Sequence, residues 1–212
     1  MECFDIHTHS IVPYSGRVIT SFSVGIDTID VNVPHISVGI HPWFLTLNNV
    51  DLFLDVLYKT LKDKRVVALG DAGLDKLKGV GIEAQIAVFR KEVTISEELK
   101  LPMVIHCVKA FNELIELKKE LRPCQPWIIH GFRGKKNMAV ELLRHGCYLS
   151  FGSRFQEETV RVVPVERLFI ETDESEECIE AIYRRIAEVR GVSPEELVEV
   201  VNKNVRAIFF KP

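Results

Sequence analysis

Six residues of the sequence are candidates for binding divalent metal ions by their side-chain type and their place along the chain: His7, His9, Asp71, His106, His130 and Asp173. Four imidazoles and two carboxylates form a mixed set of nitrogen and oxygen ligands. Such a set suits zinc or manganese, and it tolerates magnesium when water completes the shell. A structural zinc takes about four ligands. Six ligands suit two ions about 3.5–4 Å apart, which stabilise both the attacking and the leaving oxygen of a phosphoester. The set therefore predicts a two-metal hydrolytic centre that uses Mg, Mn or Zn.

Both carboxylates of this set, Asp71 and Asp173, are expected to take part in the reaction itself. His7 and His9 alternate along an extended segment, so their side chains point to the same side and can bind one ion together. Asp71 is the best candidate to bridge two ions, because a carboxylate has two oxygens to share. Asp173 can bind one ion and also accept the proton of the attacking water. Metal coordination lowers the pKa of that water toward neutrality, so a carboxylate suffices as the base.

Three further residues are candidates for substrate contacts. Arg133 can bind a phosphate through a charge-assisted fork, and the alternative is that it lies in a solvated loop. Lys109 follows the fifth candidate strand and is predicted to face the site. His41 either contacts the substrate or orders its own loop. Glu171 is predicted to contact a metal-binding side chain, and not the ion itself, and so to orient that side chain. The remaining histidines are assigned structural roles: His35 and His145.

The elements that must position these residues are short apolar runs, each followed by a polar residue and most by a segment of helical periodicity. This alternation is typical of an α/β fold with a parallel sheet wrapped in helices. Eight runs are candidate strands: 3–6, 18–22, 36–40, 66–69, 103–105, 127–129, 147–151 and 168–170. Eight strands are the number that a closed barrel needs, although the first two crossovers are too short for full helices. We therefore predict a single TIM-like (β/α) barrel domain over residues 1–212.

Sequence patterns also mark several helices. Apolar residues share one face of the segment from about 82 to 100, and a proline follows it. Ser193, Pro194 and Glu196 supply an N-cap, a first-turn proline and a capping-box acid for a last helix. Gly146 closes the helix before the seventh strand. Because the carboxyl ends of barrel strands share one rim, the candidate ligands that follow these strands are expected to converge there.

The overall composition of the chain limits the class of protein to which it can belong. The chain has 212 residues, 47% of them hydrophobic and 27% charged, which is the balance of a globular protein with a sizeable core. Its net charge of −3 means that the surface as a whole does not attract phosphate backbones, so any contact with nucleic acid must depend on a local group of cations. None of the five cysteines has the spacing of a zinc knuckle or redox pair, and they are predicted to be reduced, mostly buried thiols. The first residues contain neither the basic segment nor the apolar run of a signal peptide, and no apolar run in the sequence is long enough to span a membrane. The sequence therefore predicts a cytoplasmic protein that does not span a membrane.

The sequence resembles the TatD family of metal-dependent deoxyribonucleases within the amidohydrolase superfamily. The resemblance runs over nearly the whole chain, in the motifs DIHTH at 5–9, GIHP at 39–42, LGDAGLD at 69–75, HGF at 130–132 and ETD at 171–173. It implies a TIM-like barrel and a divalent-metal-dependent nuclease, often an exonuclease acting on DNA. It also implies a division of the ligands: His7, His9 and Asp173 for the first ion, His106 and His130 for the second, and Asp71 as the bridge.

Two departures from the family pattern bear on substrate choice. The family usually has glutamate where this chain has Asp71, so the carboxylate here is one methylene shorter. The segment Gly131–Gly134 replaces the usual Cys-Phe-Ser-Gly and adds the cation Arg133 beside the metals. The chain is also shorter than typical members.

We expect a phosphodiesterase or deoxyribonuclease that acts on DNA or a small phosphoester, as a monomer without a protein partner. Two alternatives stay open. One is an amidohydrolase-type carbonyl or ester hydrolase, because the same metals polarise a carbonyl group. The other is a catalytically weak metal- or nucleotide-binding protein.

Overall fold

A computed structural model describes residues 2–210 and contains eight strands. The strands are β1 Asp5–Thr8, β2 Val18–Ser23, β3 Ile36–Gly39, β4 Val66–Asp75, β5 Met103–Val108, β6 Trp127–Ile129, β7 Tyr148–Phe151 and β8 Leu168–Ile170. They form one sheet in chain order, and every neighbouring pair is parallel. The predicted α/β barrel of eight strands is confirmed.

Helices cover the outside of the sheet. Within residues 2–210 they are α1 Val50–Thr60, α2 Ile82–Leu99, α3 Phe111–Leu121, α4 Lys136–Arg144, α5 Glu157–Val162, α6 Ile179–Arg190 and α7 Pro194–Phe209. The segments 9–17 and 24–35, which join the first three strands, contain no helix. The prediction that the first two crossovers are shortened is therefore confirmed.

The barrel closes through the backbone of Asp173. Its N–H donates to the carbonyl oxygen of His7 over 2.9 Å, and its own carbonyl oxygen accepts the N–H of His9 over 3.2 Å. A parallel bridge also joins Thr8 to Asp173. Because closure uses the backbones of three predicted ligands, the fold itself brings the two ends of the chain together at the site.

Three predicted ligands lie inside strands rather than after them. His7 belongs to β1, Asp71 to β4 and His106 to β5, so the expectation that these residues follow their strands is wrong. The reason is that β1 remains paired as far as Thr8, β4 as far as Asp75 and β5 as far as Val108, beyond the apolar runs. Backbone pairing does not depend on side-chain polarity, and a polar side chain that faces the barrel mouth can stay in the ladder.

The last two helices hold the first strand in place. On α6, the hydroxyl of Tyr183 donates to the carbonyl oxygen of Phe4 over 2.9 Å. On α7, the amide of Asn202 donates to the carbonyl oxygen of Glu2 and accepts the N–H of Phe4. The predicted capping box of Ser193 and Glu196 begins α7. These contacts anchor the segment that carries His7 and His9.

Two other sequence expectations concern cysteines and membranes. Cys3 and Cys147 are buried, but Cys124 and Cys178 are exposed, so the expectation of mostly buried thiols is wrong for these two. They lie in the loop after α3 and at the N-cap of α6, where the chain runs along the surface.

Among the described residues, no helix combines the length and the apolar character that crossing a bilayer requires.

Candidate metal centre

Asp71 lies at the centre of the candidate site. The register of β4 against β5 is irregular at this residue, and Asp71 adopts a φ of +57°, a backbone conformation that non-glycine residues rarely adopt. Its Oδ2 is 3.3 Å from Nε2 of His9, while its Oδ1 is 3.2 Å from Nε2 of His130. Burial would raise the pKa of Asp71, but the facing imidazoles of His130 and His9 outweigh it and hold the pKa well below its usual value. The carboxylate is therefore ionised and presents one oxygen to each side of the site.

The first group of donors comprises His7, His9 and Asp173. Nε2 of each histidine lies 3.8 Å from Oδ1 of Asp173, and the donor atoms of all three residues lie within 4.8 Å of one another. His7 is fully buried, and neither of its ring nitrogens has a hydrogen-bond partner among residues 2–210. Burial, reinforced by the charge of His130, lowers the pKa of His7 well below its usual value. A neutral imidazole is the form that binds a metal ion, so these residues fit a cation.

His130 belongs to the second side of the site and is held between two carboxylates. Its Nδ1 lies 3.4 Å from Oε1 of Glu171, and its Nε2 faces Asp71. Burial would lower the pKa of His130, but the facing carboxylates of Asp71 and Glu171 hold the pKa well above its usual value. The same Oε1 of Glu171 accepts the N–H of Gly131. Glu171 thus lies behind a candidate ligand, in the position of a carboxylate that could orient a metal-binding imidazole.

A matching carboxylate lies behind His106, and sequence reasoning missed it. Oδ2 of Asp75 lies 3.2 Å from Nε2 of His106 and also accepts the indole N–H of Trp43 over 2.6 Å. Because Nε2 of His106 is directed at Asp75, Nδ1 is the nitrogen left for a metal ion. The missed signal was a second carboxylate in the same strand motif, LGDAGLD at 69–75. Gln85 holds the backbone of Asp75 from α2.

His41 approaches the same side of the site from the loop after β3. Its Nε2 lies 3.8 Å from Oδ1 of Asp71, and its Nδ1 accepts the backbone N–H of Trp43 over 3.1 Å. Burial lowers the pKa of His41 to about 4. The preceding residue, Ile40, donates its N–H to Oε1 of Glu92 on α2 over 2.9 Å. The loop is therefore fixed on both sides of His41.

The substitution Glu92→Gln is expected to make stability less dependent on pH. Burial raises the pKa of Glu92 to about 8, whereas an unfolded glutamate titrates near about 4.3. Between these values the folded protein binds one more proton than the unfolded chain. The free energy of unfolding therefore falls as pH rises toward the folded pKa, by up to roughly 4–5 kcal/mol from this group. Glutamine keeps the acceptor for the N–H of Ile40 and removes the titration.

Thermal unfolding of the wild type and the variant between about pH 5 and pH 8.5 measures this difference. Glu98→Gln, on the exposed face of the same helix, is the matched control and should keep the wild-type slope. Asp5, whose pKa burial raises to about 7, contributes a slope of the same sign to all three proteins. Parallel curves for the wild type and Glu92→Gln would mean that the carboxyl of Glu92 is not neutral at pH 7.

A cavity of about 500 Å³ opens over these groups. Its polar floor includes His9, Asp71, His106, His130 and Asp173. Its aromatic walls are formed by Trp43, Phe111 and Phe132. The cavity is large enough for one nucleotide-sized ligand, and its mixture of apolar walls and a few polar groups is typical of ligand sites.

Three cations border this cavity. Lys109 and Arg133 were predicted from the sequence, and Arg154 was not. None of the three side chains forms an ion pair within residues 2–210. Arg154 follows β7 just as Arg133 follows β6, so its place after a strand was a signal that could have found it. Lys109 and Asp173 each have a φ of +56°, so together with Asp71 three non-glycine residues of the site adopt this rare backbone conformation.

Three comparisons connect this geometry to known proteins. A family model described as "TatD related DNase" matches residues 30–210. An "uncharacterized metal-dependent hydrolase" of Buchnera aphidicola subsp. Baizongia pistaciae is 30% identical over 200 residues, which cover 84% of this chain and 74% of that protein. "Deoxyribonuclease TATDN3" of Homo sapiens is 28% identical over 188 residues, which cover 79% of this chain and 68% of that protein.

The solved structures agree on the fold. The TatD homologue YJJV of Escherichia coli k12 superposes with a TM-score of 0.82 over the full length of both chains, at 18% identity. Five similar relatives from bacteria and animals are matched over only 64% to 75% of their own length. The family model nevertheless covers most of this chain. The chain therefore belongs to the TatD related DNase family and is a metal-dependent hydrolase of the TatD type.

Proposed function

We propose that this protein is a phosphodiesterase that cleaves DNA with two divalent metal ions. One observation carries the proposal: the two oxygens of Asp71 face different donor groups. Oδ2 faces His9 over 3.3 Å, and Oδ1 faces His130 over 3.2 Å. His7, His9 and Asp173 would hold the first ion, His106 and His130 the second, and Asp71 would bridge them. The orphaned ring nitrogens of buried His7 support this assignment.

The ions and the residues around them would have different roles in the reaction. When bound, the two ions would activate a water molecule and offset the charge of a phosphoryl group. Asp173 directs Oδ1 at His7 and His9, which leaves Oδ2 to accept the proton of the attacking water. Burial raises the pKa of Asp173, which makes its carboxylate a better proton acceptor. Water adds across the P–O bond, so that one product is a phosphomonoester and the other an alcohol.

The walls of the cavity suit a nucleotide. Lys109, Arg133 and Arg154 would bind phosphate oxygens, and guanidinium groups do so through paired N–H donors. Trp43 and Phe111 offer aromatic faces on which a base can stack. Because the whole protein carries a net charge of −3, this cationic border is a local attraction for a polyanion. A single domain over residues 1–212 that acts as a monomer stays part of this proposal.

Arg133→Ala is expected to weaken the binding of phosphoester substrates without removing metal. A lost charge-assisted hydrogen bond costs roughly 1.5–3 kcal/mol, so kcat/KM should fall about 10- to 100-fold while the metal content stays unchanged. Steady-state hydrolysis and elemental analysis of the same preparations measure both quantities. Arg144→Ala removes an exposed cation from α4, outside the cavity, and should behave as the wild type. If Arg133→Ala loses metal instead, the phosphate role is wrong.

The test of the proposed function combines metal content with turnover. The purified protein would be analysed for bound metal and assayed with single-stranded DNA and bis(p-nitrophenyl) phosphate in magnesium, manganese and zinc. About two ions per chain together with DNA cleavage would support the proposal. Two ions without phosphoester turnover would contradict it and favour a carbonyl or ester hydrolase. Ligand binding without any hydrolysis would favour a binding protein.

A further inference from the structure

His41 differs chemically from the other histidines of the site. It lies at the cavity wall with 7% of its surface exposed, and its ring centroid is 4.7 Å from that of His106. Its distance from Asp71 and His106 would also suit a metal ligand, because donor atoms of the three residues lie within 4.8 Å of one another. Proximity alone therefore leaves two roles open for His41, and its hydrogen bonds decide between them.

The hydrogen bond to Nδ1 determines which nitrogen of His41 carries the proton. Nδ1 accepts the backbone N–H of Trp43 over 3.1 Å, and a backbone N–H can only donate. In a neutral imidazole one nitrogen accepts and the other donates, so the proton is on Nε2. A protonated Nε2 has no lone pair for a metal ion. His41 is thus a hydrogen-bond donor toward the cavity, whereas the other histidines of the site direct an unprotonated nitrogen at a metal ion under the proposed function.

The surroundings of His41 hold this donor in place. Trp43 is fixed by its indole N–H bond to Asp75, at 2.6 Å, and Ile40 by its bond to Glu92, at 2.9 Å. The carbonyl oxygen of His41 accepts the N–H of Phe44 over 3.1 Å, which closes a tight turn around the residue. Nε2 makes no hydrogen bond to any residue in the range 2–210, and Oδ1 of Asp71 lies 3.8 Å from it, beyond hydrogen-bond distance. A fixed N–H that meets no acceptor among these residues can donate a hydrogen bond to an acceptor atom of a ligand.

We propose that His41 is a catalytic residue whose Nε2–H donates a hydrogen bond to a non-bridging phosphoryl oxygen of the substrate. The inference rests on the proposed phosphodiesterase function and adds a third kind of group to it, beside the metal ligands and the cations. Negative charge grows on that oxygen as water attacks, and a fixed neutral donor stabilises it most in the transition state. The proton stays on Nε2 throughout, so His41 exchanges no proton with water or the leaving group.

Two substitutions separate this role from metal binding. His41→Ala removes the donor, and we expect kcat for bis(p-nitrophenyl) phosphate to fall about 10²- to 10³-fold, as for loss of an oxyanion donor. KM and the metal content should change little. His41→Gln supplies an amide N–H of similar reach and should recover at least about tenfold of the lost kcat. A purely structural role in the loop would not be rescued in kcat by the amide donor.

A second readout does not depend on turnover. Proton-coupled ¹⁵N spectra of the metal-free protein, labelled on histidine and assigned with the His41→Gln variant, report which ring nitrogen of His41 is protonated. We expect protonated Nε2 and unprotonated Nδ1. Protonated Nδ1, the loss of one metal ion in His41→Ala, or an unchanged kcat in that variant would each overturn the inference. If the wild type hydrolyses no phosphodiester at all, the proposed function and the phosphoryl role fall together, and the ¹⁵N result still decides the tautomer.

Discussion

The double substitution of His7→Ala with His9→Ala is expected to remove one metal ion per chain and nearly all hydrolytic activity. His7, His9 and Asp173 form the first donor group, and two of its three protein ligands would be lost. A metal ion supplies several kcal/mol of transition-state stabilisation, and each 1.36 kcal/mol is tenfold in rate. We therefore expect the rate to fall by about 10³-fold or more. Elemental analysis and phosphodiester hydrolysis measure the two effects.

The control for this variant is a histidine outside the site. His145 pairs with Glu141 at the end of α4, away from the cavity, and His145→Ala should keep both metal and activity. Thermal unfolding separates metal loss from misfolding. Added metal should raise the Tm of the wild type by mass action and that of the double variant by less, while the two metal-free proteins should melt similarly. Wild-type rates in the double variant would refute the ligand assignment.

The second large effect is expected at Asp71. Asp71→Asn removes the negative charge that two donor groups share, and an amide nitrogen cannot bind a metal ion in place of a carboxylate oxygen. We expect loss of at least one ion and a fall in kcat of about 10³-fold, for the same reason as above. The buried carboxylate also faces His9 and His130 over 3.2–3.3 Å, so the variant leaves two imidazoles without their anionic partner.

Asp71→Glu is the matched substitution at the same position. It keeps the charge and introduces the family's usual residue, at the cost of one more methylene in a fully buried space. Overpacking of this size costs about 1–3 kcal/mol. We expect this variant to bind two ions, with a changed preference among magnesium, manganese and zinc, and to remain within about tenfold of the wild-type rate. If Asp71→Asn retained both ions and full activity, Asp71 would not be a bridging ligand.

The sequence by itself determined the architecture and the candidate ligands. Short apolar runs alternate with amphipathic segments, and this local pattern predicts parallel strands and helices because burial of one helical face requires that spacing. The capping box at Ser193 and Glu196 is equally local and occurs as predicted. His7 and His9 follow the same logic, since two residues spaced by one on an extended strand share a side. Residue type then limits the chemistry to that of imidazole and carboxylate ligands.

Only the tertiary structure decided how each side chain is used. The two histidines His106 and His41 have identical side chains, yet one directs Nε2 at Asp75 and the other accepts an N–H at Nδ1. The partner of His106 comes from β4, so the nitrogen that His106 leaves for the site depends on a contact between elements. The bond at His41 is local, but the turn that makes it is held by contacts of Trp43 with β4 and of Ile40 with α2. The irregular register at Asp71 arises from the pairing of two whole strands. The closure that joins His7 to Asp173 links positions 166 residues apart. These features depend on long-range packing, which local propensity and spacing do not encode.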